Sequence, residues 1–194
     1  MLDAAILAGG AGRRLGGLAK HALTVDGQRI LDRQRAALRP VTSRVFLVGG
    51  PPDRFAGTDL VVVPDARPGT GPLGAVYTAL LAATTPRVLV VACDMPFLTA
   101  GFLEHLEAAG HGCDVVLPRD GRGLHPLCAA WAVGAAPILE RLLDEGVRRM
   151  RDALEALRLH VIEGEALRVF DPDGRLLHNI NTPDDLARAF PLRG

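Results

Sequence analysis

Apolar runs of strand length alternate with helix-period stripes along the chain. Ala4-Ala5-Ile6-Leu7-Ala8 is an uninterrupted apolar run that stops at Gly9-Gly10, the pattern of a strand buried on both faces of a parallel sheet. Beyond a glycine-rich stretch, Ile30, Leu31, Gln34, Ala37 and Leu38 share one helical face, with Pro40 just past its end. Residues 44–48 and 60–63 read as the next strands, and Leu73, Val76, Tyr77, Leu80 and Leu81 as a second helical stripe. Residues 88–92 form the most uniformly apolar run, which belongs at the centre of a sheet.

Thr99 is placed to cap a third helix that turns Phe102, Leu103 and Leu106 inward. Residues 115–117 predict another strand, while 126–133 leave helix and strand open. Helical faces follow at Ile138, Leu139, Leu142 and Leu143, then at Val147, Met150, Leu154 and Leu157. Residues 159–162 and 167–170 predict short strands. Thr182-Pro183-Asp184-Asp185 starts a last helix with a cap, a proline at the first position and two carboxylates near the positive end of the dipole. No internal repeat, low-complexity segment or linker breaks the alternation. It predicts one α/β domain over residues 1–194, a Rossmann-like three-layer fold with a mostly parallel central sheet.

Composition narrows the partners. The 194 residues carry 22 Lys plus Arg and 22 Asp plus Glu, so no global field points to nucleic acid or an acidic membrane. Any bound anion must be gripped locally. Cys93, Cys113 and Cys128 lack C-x-x-C spacing, which favours reduced core thiols over a disulfide framework or a zinc site. The first residues carry no basic stretch and run quickly into glycine, unlike a signal peptide or membrane span, and a cytoplasmic protein is expected.

Ligands in such sheets lie beyond the carboxyl ends of the strands. The segment after Ala8 runs Gly9-Gly10-Ala11-Gly12-Arg13-Arg14-Leu15-Gly16-Gly17-Leu18-Ala19-Lys20. Glycines reach positive φ and let backbone N–H groups approach a phosphate, and Arg13, Arg14 and Lys20 add positive charge. A solvated surface loop is the bland alternative; five glycines and three cations directly after a buried strand weigh against it. The loop is neither a P-loop, since Lys20 is followed by His21, nor a dinucleotide fingerprint, since Gly10 and Gly12 are followed by Leu15.

Two carboxylates end later strands. Asp94, in Cys93-Asp94-Met95-Pro96-Phe97, terminates the most apolar run, where a carboxylate can hold Mg²⁺ and leave positions for phosphate and water. Capping of the turn before Pro96 is the structural alternative. Asp65 precedes Pro68-Gly69-Thr70-Gly71-Pro72-Leu73-Gly74, and a turn aspartate explains it equally well.

These motifs together resemble the nucleotidyltransferase family related to molybdenum cofactor guanylyltransferase, with the sheet type of nucleotide-diphospho-sugar transferases. The matching strings are Leu7-Ala8-Gly9-Gly10, Arg13 and Arg14, Gly16-Gly17, Lys20, Gly71-Pro72-Leu73, Cys93-Asp94-Met95-Pro96-Phe97, His125-Pro126-Leu127 and Asn179-Ile180-Asn181-Thr182-Pro183, spread over nearly the whole chain. The chain departs from the pattern at Ala19, where the family usually has Asp, and at Ala75, where many members have glycine. At Gly49, relatives can carry a polar nucleotide contact such as Asn.

The resemblance implies that Leu7, Ala8, Gly9 and Gly10 wrap the nucleotide, that Lys20 neutralises the triphosphate and that Arg13 assists. It further implies that Asp65 contacts GTP and that Asp94 binds both metal and nucleotide. His125, Arg148, Asn179 and Asn181 would line the pterin side. Residues 1–100 would then form mainly the nucleotide half and 101–194 mainly the acceptor half. The implied reaction transfers GMP from GTP to molybdopterin with Mg²⁺ as cofactor. Transient contact with molybdopterin-supplying proteins and molybdoenzymes is implied, and no nucleic acid or membrane. Two other readings compete: a cytidylyltransferase or an enzyme using another phosphorylated acceptor, and a non-catalytic cofactor carrier, which would need neither Lys20 nor Asp94.

Overall fold

In the computed structural model, β1 (Leu2–Leu7) is buried along its whole length. Its side chains alternate, Ala4 and Ile6 entering one apolar cluster and Ala5 and Leu7 another, as the period of two requires. The structure describes residues 1–9, 24–55, 57–180 and 185.

β1 lies between β4 (Thr42–Val48) and β6 (Arg87–Ala92), parallel to both, and β5 (Val61–Val63) continues the parallel edge beside β4. Beyond β6 comes β9 (Cys128–Ala132), antiparallel to it, then β7 (Val115–Asp120) and β10 (Leu159–Ile162), which are parallel to each other. β8 (Gly123–Leu124) folds back onto β7. Among the described residues the sheet holds eight strands, in the order β10-β7-β9-β6-β1-β4-β5 with β8 beside β7. Uniformly apolar residues 88–92 are central, as expected.

Helices cover both faces. α1 (Ile30–Leu38), α3 (Ala100–Ala108) and α6 (Gly164–Arg168) pack on the face of Ala4 and Ile6 through Leu31, Leu38, Phe102, Leu106 and Leu167. α2 (Gly71–Ala82), α4 (Ala136–Asp144) and α5 (Met150–Leu154) pack on the opposite face through Leu73, Val76, Leu80, Leu139, Leu142 and Leu154. Thr99 caps α3, its hydroxyl accepting from the Phe102 N–H.

Three local features differ from the sequence expectation. Residues 167–170 do not form a strand. Leu167 ends inside α6, and the Phe170 N–H closes a turn on the Leu167 carbonyl at 3.0 Å. An apolar pair three residues apart also fits one helical face, and Phe170 uses that spacing to meet the rings of Phe102 and His105, with centroids 5.7 and 4.8 Å away. The stripe from Val147 to Leu157 is helical only over α5. A small hairpin of β2 (Thr24–Val25) and β3 (Gln28–Arg29), with Asp26 and Gly27 at φ 51° and 74°, precedes α1 without an apolar run to announce it. The ambiguous stretch 126–133 resolves as strand β9.

Candidate active site

The parallel strands end level with one another. Leu7 pairs with Val48 on one side and Ala92 on the other, and Val48 pairs with Val63. From β1 the chain passes through α1 on one face to lay down β4. It later passes through α2 on the other face to lay down β6, on the far side of β1. The connections therefore part between the ends of β1 and β6, and a crevice at such a switch point is where α/β sheets bind ligands.

Backbone hydrogen bonds fix what enters that crevice. The Ala8 N–H donates to the Val48 carbonyl at 2.9 Å and the Cys93 N–H to the Leu7 carbonyl at 3.2 Å. Gly49 has φ 74°, and a Cβ there would lie 3.2 Å from the Gly9 Cα. The lack of side chains thus lets the ends of β1 and β4 close on each other. Leu7, Ala8, Gly9 and Asp94 are brought together at this edge. Gly10, Arg13, Lys20 and Asn181 lie outside the described residues.

Asp94 is only 7 % exposed, and the main chain around it is held on several sides. Gln34 donates from Nε2 to the carbonyls of Ala92 and Met95, at 2.6 and 3.1 Å. Arg33 donates from Nε to the Pro96 carbonyl at 3.2 Å, and the Ile180 N–H to the Asp94 carbonyl at 2.8 Å. Val25, Ile30 and Ile180 form a small apolar cluster with Phe97 packed against it, which ties the hairpin, α1 and the chain before Asn181 to this connector. Exposed Asn179 follows from that tie, one residue from Ile180. The one signal of Gln34 in the sequence is its polarity at a position of an otherwise apolar stripe.

Asp65 stands at the end of β5, three strand spacings from β6, roughly 14 Å at the usual inter-strand distance. Its Oδ1 accepts from the Arg67 N–H at 3.0 Å and lies 3.1 Å from the Thr78 hydroxyl, which itself accepts from the Ala66 N–H at 3.0 Å. The turn role anticipated for Asp65 is therefore present, and Thr78 is its unforeseen partner on α2. Gly69 and Gly71, at φ 80° and 70°, shape the loop into α2. A Cβ on Gly74 would fall 1.8 Å from Thr70 Oγ1, so glycine there is a packing requirement.

Because β9 runs antiparallel, His125-Pro126-Leu127 arrives at the same edge, and the Leu127 carbonyl accepts from the Ala92 N–H at 2.7 Å. His125 Nε2 lies 2.8 Å from Asp120 Oδ1. Burial would raise the Asp120 pKa, but hydrogen bonds from the Arg122 side chain, His125 and the Arg122 N–H outweigh it and hold the carboxyl at about 2. Beside this cluster, a cavity of about 590 Å³ is lined by Arg122, Leu124, Pro126, Met150, Leu154 and Leu159 among others. Arg148 donates from Nη1 to the carbonyls of Leu143 and Val147, both at 2.8 Å, closing the end of α4. That end reaches the same edge of the sheet, since Arg67 pairs with Asp144 at 3.0 Å. The structure gives Arg148 this capping contact and does not bring it against Asp94.

All three cysteines are thiols. Cys128 is fully buried and its pKa is pushed up to about 12 by that burial, whereas Cys93 and Cys113 are half-buried, so only one is a true core thiol.

Among the described residues no three His, Cys, Asp or Glu side chains gather as a metal nest. The Asp94 carboxylate nonetheless has the hard oxygen chemistry that suits Mg²⁺, an ion commonly held by one or two carboxylates with phosphates and water completing its shell. Among the described residues no helix is long and apolar enough to cross a membrane.

Comparisons with known proteins agree with this arrangement. Residues 4–160 match the family described as MobA-like NTP transferase domain. A probable molybdenum cofactor guanylyltransferase of Pelotomaculum thermopropionicum is 34% identical over 184 residues, covering 95% of this chain and 89% of that protein. One of Chloroflexus aggregans is 36% identical over 195 residues, covering 96% and 92%. The crystal structure of molybdopterin-guanine dinucleotide biosynthesis protein A from Archaeoglobus fulgidus superposes with a TM-score of 0.81 at 32% identity, over 96% of both chains. With its level strand ends, its crevice between β1 and β6 and these relatives along nearly its full length, the chain belongs to the MobA-like NTP transferase family.

Proposed function

We propose that this protein transfers GMP from GTP to the terminal phosphate of molybdopterin, giving the guanine dinucleotide form of the cofactor and pyrophosphate. The observation that carries the reading is the meeting of Leu7–Gly9 with the buried Asp94 at the switch point, in a chain that has probable guanylyltransferases among its relatives over almost its full length. The chain is read as one nucleotidyltransferase domain over residues 1–194. Residues 1–100 serve mainly the nucleotide and 101–194 mainly the acceptor.

In the reaction an oxygen of the acceptor phosphate forms a bond to the α-phosphorus of GTP, the bond to the bridging α–β oxygen breaks, and pyrophosphate leaves. A phosphate monoester has a second pKa of about 6, so the nucleophile is largely dianionic at neutral pH and needs no strong base. Positioning and charge neutralisation therefore carry the catalysis. The backbone of Leu7, Ala8, Gly9 and Gly10 receives the nucleotide, Lys20 and Arg13 neutralise the phosphates, and Asp65 steadies the nucleotide from the end of β5. Asp94 would hold Mg²⁺, which when bound supplies positive charge to the triphosphate. In this reading His125, Arg148, Asn179 and Asn181 are assigned to the acceptor. The reading includes a cytoplasmic enzyme in passing contact with the proteins that supply molybdopterin and the molybdoenzymes that receive the product.

The test is pyrophosphate release with molybdopterin and Mg²⁺, with GTP, CTP and ATP compared in parallel. Release with GTP alone is the expected result. A preference for CTP would move the protein to cytidylyl transfer, and no release with any nucleotide would point to another acceptor or a carrier.

A further inference from the structure

Gln34 sits on α1 in line with Leu31 and Leu38 and is 1 % exposed, a position where an apolar side chain would satisfy the core. Its amide is only half used by the described residues. Nε2 donates to two carbonyls, while Oε1 is buried and finds no hydrogen-bond partner among them. Burying an amide acceptor unsatisfied is a cost that leucine or methionine would avoid. The compensating feature is where the two donated hydrogen bonds go. They end on Ala92 and Met95, the residues that bracket Cys93-Asp94, so the two amide protons clamp the connector on either side of the carboxylate. Among the described residues no other side chain hydrogen-bonds to the carbonyls at both ends of that span.

We propose that Gln34 is a positioning residue for the metal ligand: it fixes the main chain on both sides of Asp94 and thereby aims the carboxylate at the cation. The proposal rests on the reading of Asp94 as the ligand of Mg²⁺. Gln34 touches neither substrate nor metal, and acts through the connector. Supporting groups behind a metal ligand commonly change metal affinity by about 10- to 100-fold when removed.

The experiment uses Mn²⁺ as a paramagnetic probe of the cation site. Its dissociation constant is measured by electron paramagnetic resonance on the full chain with GTP, for wild type, Asp94→Asn, Gln34→Met, Gln34→Leu and Leu38→Val. The last is a control that perturbs the same buried face of α1 one turn along, at a side chain that makes no hydrogen bond to the connector. Gln34→Met and Gln34→Leu are expected to weaken Mn²⁺ about tenfold or more while Leu38→Val leaves it unchanged, at matched melting temperatures. Either apolar variant folding with wild-type Mn²⁺ affinity, while Asp94→Asn loses it, would overturn the role of Gln34 and leave the Asp94 assignment standing. Should Asp94→Asn bind Mn²⁺ like wild type, the ligand assignment falls and the role of Gln34 with it. Weakening by Leu38→Val equal to that by the Gln34 variants would reduce Gln34 to ordinary core packing and also overturn the proposal.

Discussion

The backbone N–H of Ile180 donates to the carbonyl oxygen of Asp94 at 2.8 Å. Residues 86 positions apart in the chain are thus joined at the connector that ends the central strand, and the Ile180 side chain is buried with Val25 and Ile30 on the same side. The segment carrying Asn179 and the carboxylate of the crevice belong to one local structure.

Asp94→Asn keeps the shape of the side chain and removes its charge. Transfer of GMP is expected to fall about a hundredfold or more, as losses of directed electrostatic groups do, with little change in melting temperature. Pyrophosphate release and circular dichroism melting measure the two effects. Wild-type turnover in this variant would remove Asp94 from the metal site.

Thr78→Val removes the hydroxyl that accepts from the Ala66 N–H and lies against Asp65. Ala66 is exposed, so its N–H turns to water and the loss is that of an ordinary hydrogen bond, about 0.5–1.5 kcal/mol. Chemical denaturation should show that loss, and the KM for GTP should rise several-fold with kcat nearly preserved, because the affected loop steadies bound nucleotide in our reading. An unchanged KM would confine Thr78 to stability.

Asp120 makes stability depend on acid. Its folded pKa of about 2 lies below the ordinary carboxylate value, so its contribution is fully present above about pH 4 and is lost as pH falls through 2. The contribution is on the order of 2 kcal/mol. Asp120→Asn should therefore flatten the stability profile between pH 4 and 2 while lowering stability at pH 7. A parallel profile in wild type and variant would place the acid sensitivity elsewhere.

Gly74→Ala forces a Cβ into the position occupied by Thr70 Oγ1. A destabilisation of about 1–3 kcal/mol is expected for such overpacking. In a Thr70→Ala background the loss should shrink without vanishing, because the Arg67 carbonyl also lies 3.1 Å from the added atom. Additive effects of the two substitutions in a double-mutant cycle would contradict the clash.

Much of the architecture could be read from residues alone, for identifiable reasons. Residues 88–92 are uniformly apolar because β6 is buried on both faces, and Ile30, Leu31, Gln34 and Leu38 are spaced as one buried face of α1. Leu167 and Phe170 misled because short apolar pairs satisfy either period, and tertiary contact with Phe102 decided between them. In the candidate site, Asp94 draws notice in the sequence because a carboxylate directly after so apolar a run is chemically conspicuous, and its burial at the strand end is what the structure adds. Gln34, Thr78 and Asp120 do not. Gln34 and Thr78 act through partners far away in sequence, of which one sequence carries no record, and Asp120 acts within a local turn with Arg122 and His125 that no apolar pattern marks. The capping contact of Arg148 was hidden for the same reason, since it is made to carbonyls.

The reversed strand β9 has a consequence for how such a molecule can change over time. Its bonds to β6 run between main-chain atoms, from Arg87 with Ala132 to Val91 with Cys128, and main-chain atoms are the same in every residue but proline. The joint between the earlier and later parts of the sheet is therefore largely indifferent to which side chains flank it, provided the inward-facing ones remain apolar. New loops beyond that joint can be grafted without disturbing the register of Leu7 with Ala92. On the division of labour proposed above, a fold jointed in this way is suited to exchange the acceptor it modifies while keeping its nucleotide.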